Sequence, residues 1–276
     1  MDFLLLTSAK NPKIKHACSL RERRERDREG VTLLEGYREL SRAHLLGIPI
    51  RECFFAPELF LGENEYPLLE QLKNSGAEVW QTTPEILTKL AYRDRPEGLI
   101  AIAAMQKKGL ESIPVKPNGL YLVAETIEKP GNLGSILRSA DAVNATGVIV
   151  CNRQTDIFNP NVIRASTGAI FSVPLAETSS EEAVAWLRQN GIKSLAATPH
   201  TDKIYTETDM TGPIAIVVGA EQYGLSDYWM NEADLQVVIP MLGKMDSLNV
   251  ATAATILLYE CARQRGWKVR GNGGAA

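Results

Sequence analysis

Residues 235–250 read Leu235-Gln236-Val237-Val238-Ile239-Pro240-Met241-Leu242-Gly243-Lys244-Met245-Asp246-Ser247-Leu248-Asn249-Val250. A strand over 235–239 halts at the proline, crosses a loop made pliant by Gly243, and restarts as an Ala-rich helix for which Ser247 is a natural cap. Two upstream stretches share this shape. Residues 121–125 run into Glu128-Lys129-Pro130-Gly131-Asn132-Leu133-Gly134-Ser135-Ile136-Leu137-Arg138, and residues 214–218 into Gly219-Ala220-Glu221-Gln222-Tyr223-Gly224-Leu225-Ser226. Three apolar strands, each ending in a glycine-bearing polar loop that opens a helix, predict an open α/β sheet. In such sheets ligands gather at the C-terminal edge of the strands.

The rest of the chain fits one or two such domains, since 276 residues at 45% hydrophobic content are ample for packed cores. No run approaches the ~20 apolar residues of a membrane helix. The opening Met1-Asp2-Phe3-Leu4-Leu5-Leu6 has neither a basic front nor a cleavage site, so the sequence reads as cytoplasmic. Cys18, Cys53, Cys151 and Cys261 are widely separated, as are His16, His44 and His200, and no spacing suggests a metal. Nor does the glycine loop at 131–134 match a dinucleotide fingerprint, which needs G-x-G-x-x-G directly after a strand, and no phosphate-binding GxxxxGK[ST] occurs.

Before these loops, strands over 31–34, 50–56, 77–81 and 99–104 alternate with helices over 37–46, 66–75 and 84–91. That alternation predicts a small α/β unit at 1–105. A Pro-, Gly- and Lys-rich stretch at 106–118 reads as a linker, 119–266 as the second domain, and the glycine-rich end at 267–276 as a disordered tail. Within the second domain, the spacing predicts a strand over 148–151, helix 162–169, strand 171–175, helix 180–190, strand 192–198 and a terminal helix from 247 to about 264.

The formal charge of −3 is low for a protein that grips phosphate, yet residues 1–30 hold eight basic and five acidic side chains. Asn11-Pro12 opens a helix there. Its continuation, Arg21-Glu22-Arg23-Arg24-Glu25-Arg26-Asp27-Arg28, is read either as a solvated face or, through Arg21, Arg24 and Arg28 at helical spacing, as an RNA-phosphate contact. Glu35-Gly36-Tyr37-Arg38-Glu39, after the first strand, reads as a strand-to-helix turn, and Arg93-Asp94-Arg95-Pro96-Glu97-Gly98 as a loop without an assigned duty.

Pro130-Gly131-Asn132-Leu133-Gly134 with Arg138, Gly219-x-Glu221-x-x-Gly224-Leu225-Ser226, and Ile239-Pro240-Met241-x-Gly243 with Ser247-Leu248-Asn249 occur in that order. The series resembles the three motifs of the SpoU/TrmH branch of the SPOUT RNA methyltransferases. The front third resembles, more weakly, the L30e-like substrate-binding domain of ribosomal RNA members, in which a Glu-Gly loop similar to Glu35-Gly36 lies on the RNA-facing side. The resemblance implies a Rossmann-like, trefoil-knotted parallel-sheet domain and a homodimer. It also implies methyl transfer from S-adenosylmethionine to a ribose 2′-hydroxyl of RNA, with 23S ribosomal RNA as the preferred substrate. Transfer RNA, or a non-catalytic RNA-binding or ribosome-assembly role on the same scaffold, are the alternatives.

By the same resemblance Arg138 is the catalytic arginine, with Asn132, Glu221, Ser247 and Asn249 around it. Gly219, Ile239 and Leu248, with Met241 and Thr198, match the cofactor contacts. Other readings of the same side chains stand beside these. Arg138 could pair with an acid, Glu221 could complement a helix dipole, and Ser247 could be a plain cap. Asn249, two residues into the expected helix, has no obvious structural use there.

Overall fold

A computed structural model of the chain describes residues 3–266; the stretch read as a tail, 267–276, lies outside the described residues. The front sheet is built from β1 (Leu4–Leu6), β2 (Val31–Glu35), β3 (Ile50–Phe55), β4 (Glu78–Thr82) and β5 (Leu99–Ala104), in the order β1-β4-β3-β5-β2. β5 runs antiparallel to β2 and β3, and the other pairs are parallel. Helices α1 (Pro12–Ser19), α2 (Arg23–Glu29), α3 (Tyr37–Leu45), α4 (Glu65–Asn74) and α5 (Pro84–Leu90) connect or flank these strands. Ile14, Ala17, Leu33, Phe54, Leu87 and Ile100 form its core.

The second sheet contains β6 (Leu120–Glu125), β7 (Gly147–Cys151), β8 (Leu175–Thr178), β9 (Lys193–Ala197), β10 (Ile214–Val218) and β11 (Leu235–Val237). Their order is β11-β9-β10-β6-β7-β8, and every pair is parallel. The chain builds outward from β6 through β7 to β8, then returns to the other side, so the topology switches between β6 and β10. β6, β7 and β10 are buried along their whole length, which is why they read as unbroken apolar runs. Helices α6 (Pro130–Ala142), α7 (Pro160–Ala165), α8 (Ser180–Gln189), α9 (Asp227–Glu232) and α10 (Val250–Gln264) complete the chain.

The compact units are discontinuous in sequence. One takes residues up to Lys107 together with Lys129–Gly134 and Thr155–Ser172; the other takes Lys108–Glu128, Ser135–Gln154 and the chain from Val173 onward. In the first unit α7 packs on β2, and the Thr32 hydroxyl donates to the Phe158 carbonyl at 2.7 Å. Gly134 permits a close approach, because a Cβ there would lie 2.4 Å from that of Ala165 and 2.8 Å from the Val162 carbonyl oxygen. The second glycine of the first loop is therefore explained by packing.

Several element boundaries depart from the sequence reading. The expected basic helix is two helices, broken at residues 20–22, with Gly30 at φ 64° ending the second. Asn159 caps α7 by accepting from the Asn161 amide at 2.9 Å, so that helix starts at Pro160 and ends at Ala165. Strand β8 begins at Leu175 because Pro174, just before it, has no amide to give a ladder; residues 169–171 form a short 3-10 turn. The strand expected over 235–239 stops at Val237. The terminal helix starts at Val250, three residues later than expected, and Leu4–Leu6 adds an edge strand the sequence did not suggest.

Candidate functional site

The first two motif loops leave neighbouring strand ends, since β6 and β10 pair with Val218 opposite Ala124. Two carboxylates join them reciprocally. Glu125, the buried last residue of β6, accepts from the Ser226 amide at 2.9 Å and hydroxyl at 2.7 Å, and from the Ser180 hydroxyl at 3.0 Å. In the opposite direction, Glu221 on the second loop accepts from the Glu128 amide of the first at 3.4 Å. Fully buried Trp229 donates its indole N–H to Ser180 Oγ at 2.9 Å, which closes the network beneath the loops. Sequence reasoning missed Glu125, although an acid ending a wholly apolar strand was the available signal.

The second loop is a closed turn. Gly224 adopts φ 70° and its amide donates to the Ala220 carbonyl at 2.9 Å. A Cβ on Gly219 would lie 2.3 Å from the Gly224 backbone, so Gly219 must be glycine for the turn to fold back on itself. Glu221 thereby reaches the first loop.

In the third loop, residues 240 and 242–249 are exposed and Met241 is half-buried. Among the described residues, no backbone group from Ile239 to Leu248 is hydrogen-bonded to another backbone group. This leaves free donors and acceptors at the C-terminal edge, flanked by the exposed apolar side chains of Leu242, Met245 and Leu248. Such a surface fits a cofactor that is part apolar and is held mainly by main-chain groups. Thr198, at the end of β9, is nearly buried, and its hydroxyl accepts from the His200 amide at 3.2 Å.

The roles of Ser247 and Asn249 in the helix are the reverse of the sequence expectation. Asn249 is the N-cap of α10, its Oδ1 accepting from the Ala251 amide at 2.9 Å, while Ser247 is exposed, two residues outside the helix, and makes no hydrogen bond among the described residues. Asn249→Ala should therefore cost about 0.5–2 kcal/mol of stability, as lost N-caps do. Ser247→Ala should cost nothing measurable. Thermal denaturation of the two variants checks this, and an equal loss in both would contradict the assignment.

Arg138 projects from α6, exposed, with no carboxylate within ion-pair distance among the described residues. Asn132 lies in the first turn of the same helix, which Pro130 opens. The hydroxyls of Ser139 and Thr255, 2.7 Å apart, fix α6 against α10, so the elements carrying Arg138 and Asn249 are neighbours. Of the front arginines, Arg21 donates to the Lys89 carbonyl at 3.3 Å and lies 5.4 Å from the Tyr92 ring centroid. Arg28 is paired with Glu25 and with Glu29, and Arg24 is exposed. No group of three or more metal-binding side chains occurs among the described residues.

Two family models match the chain: the SpoU rRNA Methylase family over residues 119–259 and the MRM3-like substrate binding domain over residues 11–101. The chain is 34% identical to a 23S rRNA (uridine(2479)-2′-O)-methyltransferase of Streptomyces viridochromogenes, over 89% of this chain and 87% of that protein. A crystal structure of an RNA 2′-O ribose methyltransferase superposes with a TM-score of 0.83 at 41% identity, covering 95% of this chain and 99% of the other. An AdoMet-bound rRNA methyltransferase from Sinorhizobium meliloti superposes with a TM-score of 0.86 at 28% identity, covering 94% and 97%.

Proposed function

The chain belongs to the SpoU rRNA methylase family, and from this we infer that it is an S-adenosylmethionine-dependent RNA 2′-O-ribose methyltransferase acting on ribosomal RNA. The observation that carries the reading is the junction of the first two motif loops through Glu125 and Glu221, beside a third loop whose main-chain groups are free. S-adenosylmethionine supplies an electrophilic methyl group. Gly219, Ile239 and Leu248, with Met241 and Thr198, would hold it. Arg138 remains cationic at any working pH, so its task is to stabilise the forming alkoxide or its neighbouring phosphate. Asn132, Glu221, Ser247 and Asn249 position the reacting groups in this proposal, and alignment of nucleophile and methyl group supplies much of the acceleration.

The front domain, 1–105, is the reader of the RNA in this proposal, and 23S ribosomal RNA is the preferred substrate; transfer RNA is the rival. The proposed assembly is a homodimer. Ala251 and Ala254 of α10 are buried inside the chain and offer it no surface. Support comes instead from the exposed apolar side chains of Tyr223, Leu242, Met245 and Tyr259. Four free cysteines accord with a cytoplasmic setting, and no helix among the described residues is long and apolar enough to cross a membrane. Incubation with methyl-labelled S-adenosylmethionine and separated ribosomal and transfer RNA tests the function. Label at a ribose of 23S RNA is expected; transfer into transfer RNA alone, or none, would overturn it.

A further inference from the structure

The Glu35–Glu39 stretch and the loop over residues 93–98 meet in the first compact unit. The first turn of α3, the loop into α4, the loop that leads into β5 and the end of α7 line one cleft of about 530 Å³, within the range of small-ligand sites. Gly36 sits at φ 96°, and a Cβ on it would lie 2.8 Å from Glu97 Oε2 and 3.1 Å from Glu39 Oε2. The turn thus lies against two carboxylates, and its positive φ favours glycine.

The charges in the cleft are sorted by depth. Glu39 is buried, with its carboxyl pushed above the ordinary range by desolvation, and Arg93 lies 3.8 Å from it while also pairing with half-buried Glu97. At the mouth, Arg38 and Arg164 are exposed, and no ion pair or hydrogen bond holds either guanidinium among the described residues. Tyr37 lines the same opening. A site for phosphate alone would gain nothing from Glu39 and Glu97, and a site for a cation would be opposed by the two arginines. A nucleotide satisfies both layers: its phosphate suits the cationic mouth and its base can donate amino hydrogens to an acceptor.

We propose that this cleft receives one unpaired nucleotide of the RNA substrate, with its phosphate at Arg38 and Arg164, its base against Tyr37, and an exocyclic amino group donated to Glu97. Unstacked bases of loops and bulges are what proteins read most readily in RNA. The proposal rests on the methyltransferase reading only for the identity of the ligand as RNA.

The test uses the full chain and two fluorescent single-stranded RNA oligomers, all cytidine or all uridine, followed by anisotropy through a salt titration. The parent protein is expected to prefer the cytidine oligomer several-fold, and Glu97→Ala to lose that preference. Arg38→Ala with Arg164→Ala is expected to weaken binding about tenfold or more and to reduce the salt slope by roughly 0.7, the value for one phosphate of a single strand. Circular dichroism confirms that the variants fold. Unchanged affinity and slope in the double variant, or equal binding of the two oligomers by the parent, would overturn the proposal. S-adenosylmethionine binding, measured by calorimetry on the same samples, should be unaltered. Its absence in the parent would count against the methyltransferase reading, while the oligomer data would still decide this one.

Discussion

Arg138→Ala is expected to abolish methyl transfer while S-adenosylmethionine binds within a few-fold of the parent protein. The expectation follows from the separation of tasks. Arg138 stands on α6, whereas the groups assigned to the cofactor lie on the loops after β9, β10 and β11. Its guanidinium is exposed and unpaired among the described residues, so truncation disturbs no folded contact. Loss of one charged donor that stabilises a developing anion costs on the order of 10²–10³ in turnover. Arg138→Lys should recover little, because an ammonium is a point charge without the planar fork. Single-turnover transfer to ribosomal RNA, with calorimetry of the cofactor, decides it, and turnover near that of the parent would refute the catalytic assignment.

Arg26→Ala should cost about 3–5 kcal/mol of folding free energy, because it leaves a buried carboxylate without its partner. Arg26 is 2% exposed and donates to Asp156 Oδ2 at 2.7 Å, to the Leu20 carbonyl at 3.0 Å, to the Arg21 carbonyl at 2.8 Å and to the Tyr92 hydroxyl at 2.9 Å. The pair ties the 155–172 stretch into the first unit, next to the Thr32–Phe158 hydrogen bond. Removing both charges by Arg26→Met with Asp156→Leu should restore a substantial part of the loss, since apolar replacement of a whole buried pair is often neutral. Urea denaturation followed by tryptophan fluorescence measures both variants. A single-variant loss under about 1 kcal/mol would show that the pair is not an anchor.

The same contact marks a boundary of what the sequence could disclose. In Arg23-Arg24-Glu25-Arg26-Asp27-Arg28, every arginine looks alike to a charge pattern, and helical spacing favours Arg21, Arg24 and Arg28. Yet Arg26 is the buried one, and its carboxylate comes from 130 residues away. Nothing local distinguishes it.

The sequence by itself determined the three strand–loop–helix units, the parallel sheet and the order of the motifs. Buried parallel strands must be apolar throughout, and the turns after them need glycine or proline, so both features are written locally. The end of each element was less secure where two signals competed. Ser247 and Asn249 are both good caps, and only the path of the chain into α10 decided for Asn249. Tertiary structure alone decided the depth of Arg26, the joining of the first two loops through Glu125 and Glu221, and the meeting of Arg38, Glu97 and Arg164 in one cleft. These are contacts between residues far apart in the chain. They depend on which strands lie side by side, and hydrophobic periodicity, which fixes only the face a residue turns inward, carries no record of its partner across the fold.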